Sequence, residues 1–153
     1  LKTVRCPSVD EFELALSPVD PDWILEGTPV AKSREWATSS DGTVTMAMWS
    51  CTAGTFRWNF TCDELVHILE GEVVVTDADG SVLTLRPGDA ALFPAGSWTT
   101  WHVPEFVRKY AVLRSPVPGP VRMFWRGLSR AKAMTRGRSA ENGRTAALQS
   151  PTL

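Results

Sequence analysis

The chain has 153 residues, 43% of them hydrophobic and 22% charged, with a net charge of −1. That is the composition of one globular domain large enough to bury a core without disulfide staples. It argues against a strongly basic nucleic-acid-binding domain and a disordered chain, and no run nears the roughly 18 apolar residues of a membrane span.

Cys6, Cys51 and Cys62 form an odd set with no CxxC spacing. Such a set fits a reducing compartment better than a disulfide framework. The first residues, LKTVRCPSVDEFELAL, contain no long apolar stretch of the signal-peptide kind. The expectation is a cytoplasmic protein with no membrane partner.

Charge is unevenly spread. From Arg122 onward there are seven basic residues and one acid, Glu141, so the tail carries +6 and the rest of the chain −7. A basic tail on an acidic body suits an acidic partner or nucleic acid. Aromatic and basic residues are not interleaved there beyond Phe124-Trp125, so a solvated tail is expected over a nucleic-acid contact.

Ser8 and Glu11 have capping-box spacing, and acids fill the following turn, which predicts a short helix up to Ser17-Pro18. Pro18 and Pro21 keep the next residues irregular, and Trp23, Ile24 and Leu25 are expected to pack as a flap. Pro29–Thr38 predicts a first strand. Ser39–Gly42 is a turn, Val44–Cys51 a second strand, and Thr52–Thr55 a turn into Phe56–Thr61. From Asp63 to Phe93, Val-rich runs alternate with Glu-Gly, Asp-Ala-Asp-Gly and Arg-Pro-Gly-Asp, so strands are joined by tight turns. Val107–Arg114 predicts the last strand. Ser115–Pro120 is a Pro-rich break, a helix is expected over Val121–Met134, and the Gly/Ser/Thr/Arg-rich end reads as a loose arm. The division is an N-terminal lead-in over 1–28, a barrel over 29–114 and a linker with basic tail over 115–153. Short strands at this spacing suggest an all-β sandwich or barrel.

Two stretches resemble the cupin superfamily. Glu64, six residues and Gly71 look like the end of its first motif. Gly88, five residues and Pro94-Ala95-Gly96 look like the start of its second. Trp49–Gly54, Asp63-Glu64, Pro94–Gly96, Trp101 and Val107–Tyr110 resemble the single-domain cupins related to the (S)-ureidoglycine aminohydrolase cupin domain. The resemblance implies an RmlC-like jelly-roll β-barrel, often a homodimer, with diverse or unassigned roles.

The departures are informative. Metal-binding cupins carry two His before the Glu and a third after Pro-x-Gly; those positions hold Trp58, Phe60 and Thr99 here. None replaces an imidazole, and one carboxylate cannot hold a transition metal alone. Strand alternation turns His67 outward if Glu64 faces in, and His102 outward if Thr99 faces in, unless a β-bulge reverses the parity. No metal or other cofactor is expected.

On that parity Trp58, Phe60, Cys62 and Glu64 face the interior, with Thr99 and Trp101 opposite and Trp49 beside them. This is either an aromatic pocket with one carboxylate or a core filled with Trp. A buried carboxylate needs a partner, for which Lys109 and Arg108 are the candidates. Cys62 lacks an inward base, so a small buried thiol is the better reading than a nucleophile.

Three functions stay open. The leading one is a metal-free barrel binding a small polar or aromatic molecule through Trp49, Trp58, Phe60, Cys62, Glu64, Thr99 and Trp101. The second, from the resemblance, is an enzyme hydrolysing an amide or amine, with Glu64 as general base and Lys109 polarising the substrate. The third is a structural, dimer-forming barrel.

Overall fold

A computed structural model describes residues 4 and 6–116 of the chain. The expected helix over Val121–Met134 and the loose arm after it lie outside the described residues, as does all of the basic tail from Arg122 onward.

The architecture is all-β. Among the described residues nine strands follow one another: β1 (Ala15–Leu16), β2 (Ile24–Gly27), β3 (Ala31–Thr38), β4 (Val44–Asn59), β5 (Asp63–Gly71), β6 (Val73–Thr76), β7 (Val82–Leu85), β8 (Ala90–Phe93) and β9 (Trp98–Arg114). Every pairing is antiparallel. The frame is the long ladder between β4 and β9, which runs from Val44 opposite Arg114 to Asn59 opposite Trp98. One half of that ladder carries β3 and β1 on its β4 side and β5 and β8 on its β9 side. The other half carries β2 on β4, and β6 and β7 on β9. The two long strands thus run through both layers of a cupin-like barrel, and the inner faces of the layers enclose the core.

Three sequence expectations are corrected here. Thr52–Thr55 is not a turn between two strands. The chain continues as one strand, because the residues on both sides pair with the same partner, β9. The register shifts between Thr52 and Gly54, so the turn-like composition marks a β-bulge where the ladder bends. Likewise, the last strand begins at Trp98 and not at Val107.

The N-terminal helix is the third correction. Only a single 3-10 turn forms, Val9–Glu11, with the Ser8 side chain accepting from Asp10 N–H at 3.4 Å. The chain then extends, and Ala15 and Leu16 pair with Ser33 and Lys32. A helix this short has little stability of its own, while extension lets Phe12 reach Trp36 (ring centroids 6.0 Å apart) and takes up an edge of the sheet. The segment 18–28 also joins the sheet: a Pro21–Trp23 turn, capped by Asp20, leads into β2 on β4. Trp23 and Ile24 pack on the core, whereas Leu25 is exposed. Among the described residues, no helix is long and apolar enough to cross a membrane.

The turn after β5 depends on Gly71. Its φ is +70°, and a Cβ there would sit 1.9 Å from the Phe106 carbonyl oxygen. Backbone approaches backbone too closely for any side chain. We expect Gly71→Ala to destabilise the fold by at least about 2 kcal/mol, read as a lower urea midpoint with unchanged slope.

Candidate functional site

The inner face of the barrel is set by strict alternation. On β5, Glu64, Val66 and Ile68 are buried while Leu65 and His67 are exposed. On β9, Thr99, Trp101 and Val103 are buried while His102 is exposed. A register adjustment follows, and Val107, Lys109 and Ala111 then face in. Both histidines therefore lie on the outside, as their parity predicts, and His102 Nδ1 bonds the Thr55 hydroxyl at 2.9 Å.

The interior is ring against ring. Phe56, Phe60 and Trp101 are almost fully buried, and Trp49 is 7% exposed. Trp49 meets Phe56, Trp58 and Trp101 edge-on at 5.9–6.5 Å between centroids. Phe60 stacks on Phe93 at 4.5 Å and 10°, and Phe93 stands in register with Glu64. Trp58 is half-buried at the rim, where Trp23 meets it at 5.9 Å and meets Trp98 at 5.2 Å. Cys62 is not part of a strand; it sits, partly buried, in the bend between β4 and β5.

Within this apolar lining lies one ion pair. Lys109 Nζ is 2.5 Å from Glu64 Oε1, and the two residues are 3% and 7% exposed. The ammonium lies 4.9 Å from the Trp49 ring centroid and 4.6 Å from that of Trp101. Both are cation–π distances, and exclusion of water strengthens such contacts. Trp101 Nε1 donates to the Thr99 hydroxyl at 2.9 Å. Trp49 Nε1 is buried and has no hydrogen-bond partner. A buried donor left unmade costs about 1–3 kcal/mol, so its position calls for an acceptor.

Of the residues expected at the site, Trp49, Phe60, Glu64, Thr99, Trp101 and Lys109 come together inside the barrel, with Trp58 at its rim. Lys109, and not Arg108, is the partner of Glu64; Arg108 lies 3.8 Å from Asp10 on the outer side. Sequence reasoning missed Phe56 and Phe93. Phe56 was masked by the apparent turn before it. Phe93 was visible as the last apolar residue before Pro94.

Two of the thiols, Cys51 and Cys62, are held in their unreactive form. Burial pushes Cys51 up to about 11. Burial, aided by the Glu64 and Asp63 carboxylates, also raises Cys62. A raised thiol has little thiolate near neutral pH, which removes the basis for nucleophilic attack. At pH 8, Cys6, which is exposed, should react with a thiol reagent first, and Cys51 only on unfolding.

No group of three or more His, Cys, Asp or Glu able to hold a metal occurs among the described residues. The donors around Glu64 are indoles, a phenyl ring and an ammonium, which do not fit a transition metal. Adding Mn, Fe or Zn ions, or EDTA, should move the melting temperature by no more than about 1 °C.

The barrel has a cupin-like fold. Residues 38–111 match the family model of the EutQ-like cupin domain. Over those residues the chain is similar to EutQ-like cupin domains. A protein of unknown function from Pseudomonas syringae pv. tomato is similar in structure, with 26% identity and a TM-score of 0.62 over 67% of this chain. This chain spans 45% of the length of that protein. A protein described as ethanolamine utilization protein Q, from Salmonella typhimurium LT2, is 26% identical, with a TM-score of 0.50, covering 56% of this chain and 69% of that one. The cupin domain of Schizosaccharomyces pombe Cnp3 shares the fold at 13% identity, with a TM-score of 0.56 and 78% of each chain covered. No curated protein matches the chain.

Proposed function

We propose that this cupin domain is a metal-independent binding barrel for a small polar molecule carrying a carbonyl next to an N–H group. The observation that supports the reading is a buried Glu64–Lys109 pair beside a buried, unpartnered indole N–H of Trp49. Those groups complement an amide or ureido unit. Its carbonyl oxygen would accept from Trp49 Nε1 and the Lys109 ammonium, and its N–H would donate to the Glu64 carboxylate. Trp23, half-buried against Trp58 and Trp98, stands at the rim by which such a molecule would enter.

A hydrolytic version of the same site has one observation in its favour, the direct contact between a carboxylate and an ammonium. Glu64 would serve as general base and Lys109 would polarise the carbonyl, the chemistry that a ureidoglycine-aminohydrolase-like relationship would suggest.

Titration of the protein with a panel of small amide, ureido and amino-acid compounds, read by tryptophan fluorescence, tests the binding reading. At least one should change the emission saturably, and Glu64→Gln should weaken it roughly tenfold or more. A panel without effect, or binding that Glu64→Gln leaves unchanged, would sink it. Turnover of a bound compound that survives Glu64→Gln would remove the hydrolytic version alone.

A further inference from the structure

We propose that Glu64, Trp49 and Trp101 form a primary-ammonium site, and that the chain's own Lys109 is its resident occupant. The inference uses residues of the ligand-binding reading but concerns what fills the box and not what approaches it; its test adds no amide or ureido compound, so the two can fail separately.

The argument starts from the surroundings of Nζ. A lysine head is strongly hydrated and is rarely buried without full compensation. Here it is 3% exposed, and compensation arrives from two chemically different sources. The Glu64 carboxylate supplies a full charge at 2.5 Å. Two indole rings supply quadrupoles at 4.6 and 4.9 Å. An ion pair alone needs only the carboxylate. A carboxylate plus two indole rings is the environment that recognises a cationic head, as aromatic cages do for ammonium ligands.

The strand ladder explains how the box forms around one side chain. Lys109 is directly opposite Trp49 on the neighbouring strand. Glu64 lies on β5, which borders β9 on its other side. Trp101 lies earlier on β9 itself, beyond the register adjustment, where it again faces in. Three separate backbone positions thus converge on one ammonium, which reaches them on an unbranched four-carbon stem.

The site therefore holds a cation, but one that is tethered and cannot exchange. It selects for a primary ammonium on a short, unbranched alkyl stem. A bulkier head would meet the buried rings, and a neutral head would leave Glu64 without a counter-charge.

Chemical rescue tests this. Lys109→Ala removes the atoms of an n-propylammonium ion and leaves the rest of the box in place. Thermal unfolding of K109A should occur at a lower temperature than that of the wild type. Addition of n-propylammonium chloride should raise it by several degrees more than n-propanol or sodium chloride at equal concentration. The wild type should show no such preference, and E64Q/K109A should lose it. Equal effects of n-propylammonium and n-propanol on K109A would overturn the proposal.

Should K109A fail to fold, Lys109→Met provides the second measurement, since it keeps the volume and removes the charge. K109M should melt below the wild type, and E64Q/K109M should recover at least half of the loss. A K109M chain that fails to fold while E64Q/K109M folds also supports the box. K109M as stable as the wild type, or a double variant no better than the single one, would overturn it.

Discussion

The ladder between β4 and β9 is the constraint from which the interior follows. It places Trp49 opposite Lys109, Phe56 opposite Trp101 and Trp58 opposite Thr99. These are cross-strand neighbours, the pairs whose side chains stabilise a sheet most directly. β5 borders the same β9, and brings Glu64 to the inner face from the other side. Because one strand pair runs through both layers, a break in its register would separate the ion pair from its aromatic walls. The bulge at Thr52–Gly54 preserves the pairing while bending it.

Inside that frame a buried charge is held by an ion pair. In metal-binding cupins the imidazoles supply donors; here the corresponding residues are Trp58, Phe60 and Thr99, of which Phe60 packs in the core. Loss of those donors would leave Glu64 as an isolated buried carboxylate, which a protein interior does not tolerate. Lys109 resolves this by contributing the counter-charge from the neighbouring strand. Removing either partner leaves the other uncompensated, at a cost of about 3–5 kcal/mol. The pair is therefore a stronger commitment than the exposed ion pairs of Arg86 with Glu72 and Arg114 with Asp63.

The aromatic lining has two roles. Phe56, Phe60, Phe93 and Trp101 are buried and shield the ion pair from water. Trp23, Trp58 and Trp98 form a partly exposed edge-on group at the rim, where the chain enters from the Pro21–Trp23 turn. Aromatic residues thus form both core and rim, distinguished by burial.

Much was legible in the residues themselves. Alternation along Glu64–Ile68 and Thr99–Val103 put Glu64, Thr99 and Trp101 inside and both histidines outside, because strand side chains have a period of two. The Val-rich runs and the Gly and Pro turns marked an all-β barrel. The tertiary structure alone decided the rest. It converted the capping-box segment into an extended edge, because docking Phe12 on Trp36 and pairing with β3 outweigh a marginal helix. It merged two expected strands into one, since only the shared partner β9 distinguishes a bulge from a turn. It chose Lys109 over Arg108 as the partner of Glu64, because adjacent residues on a strand face opposite sides and only one of them can enter the barrel.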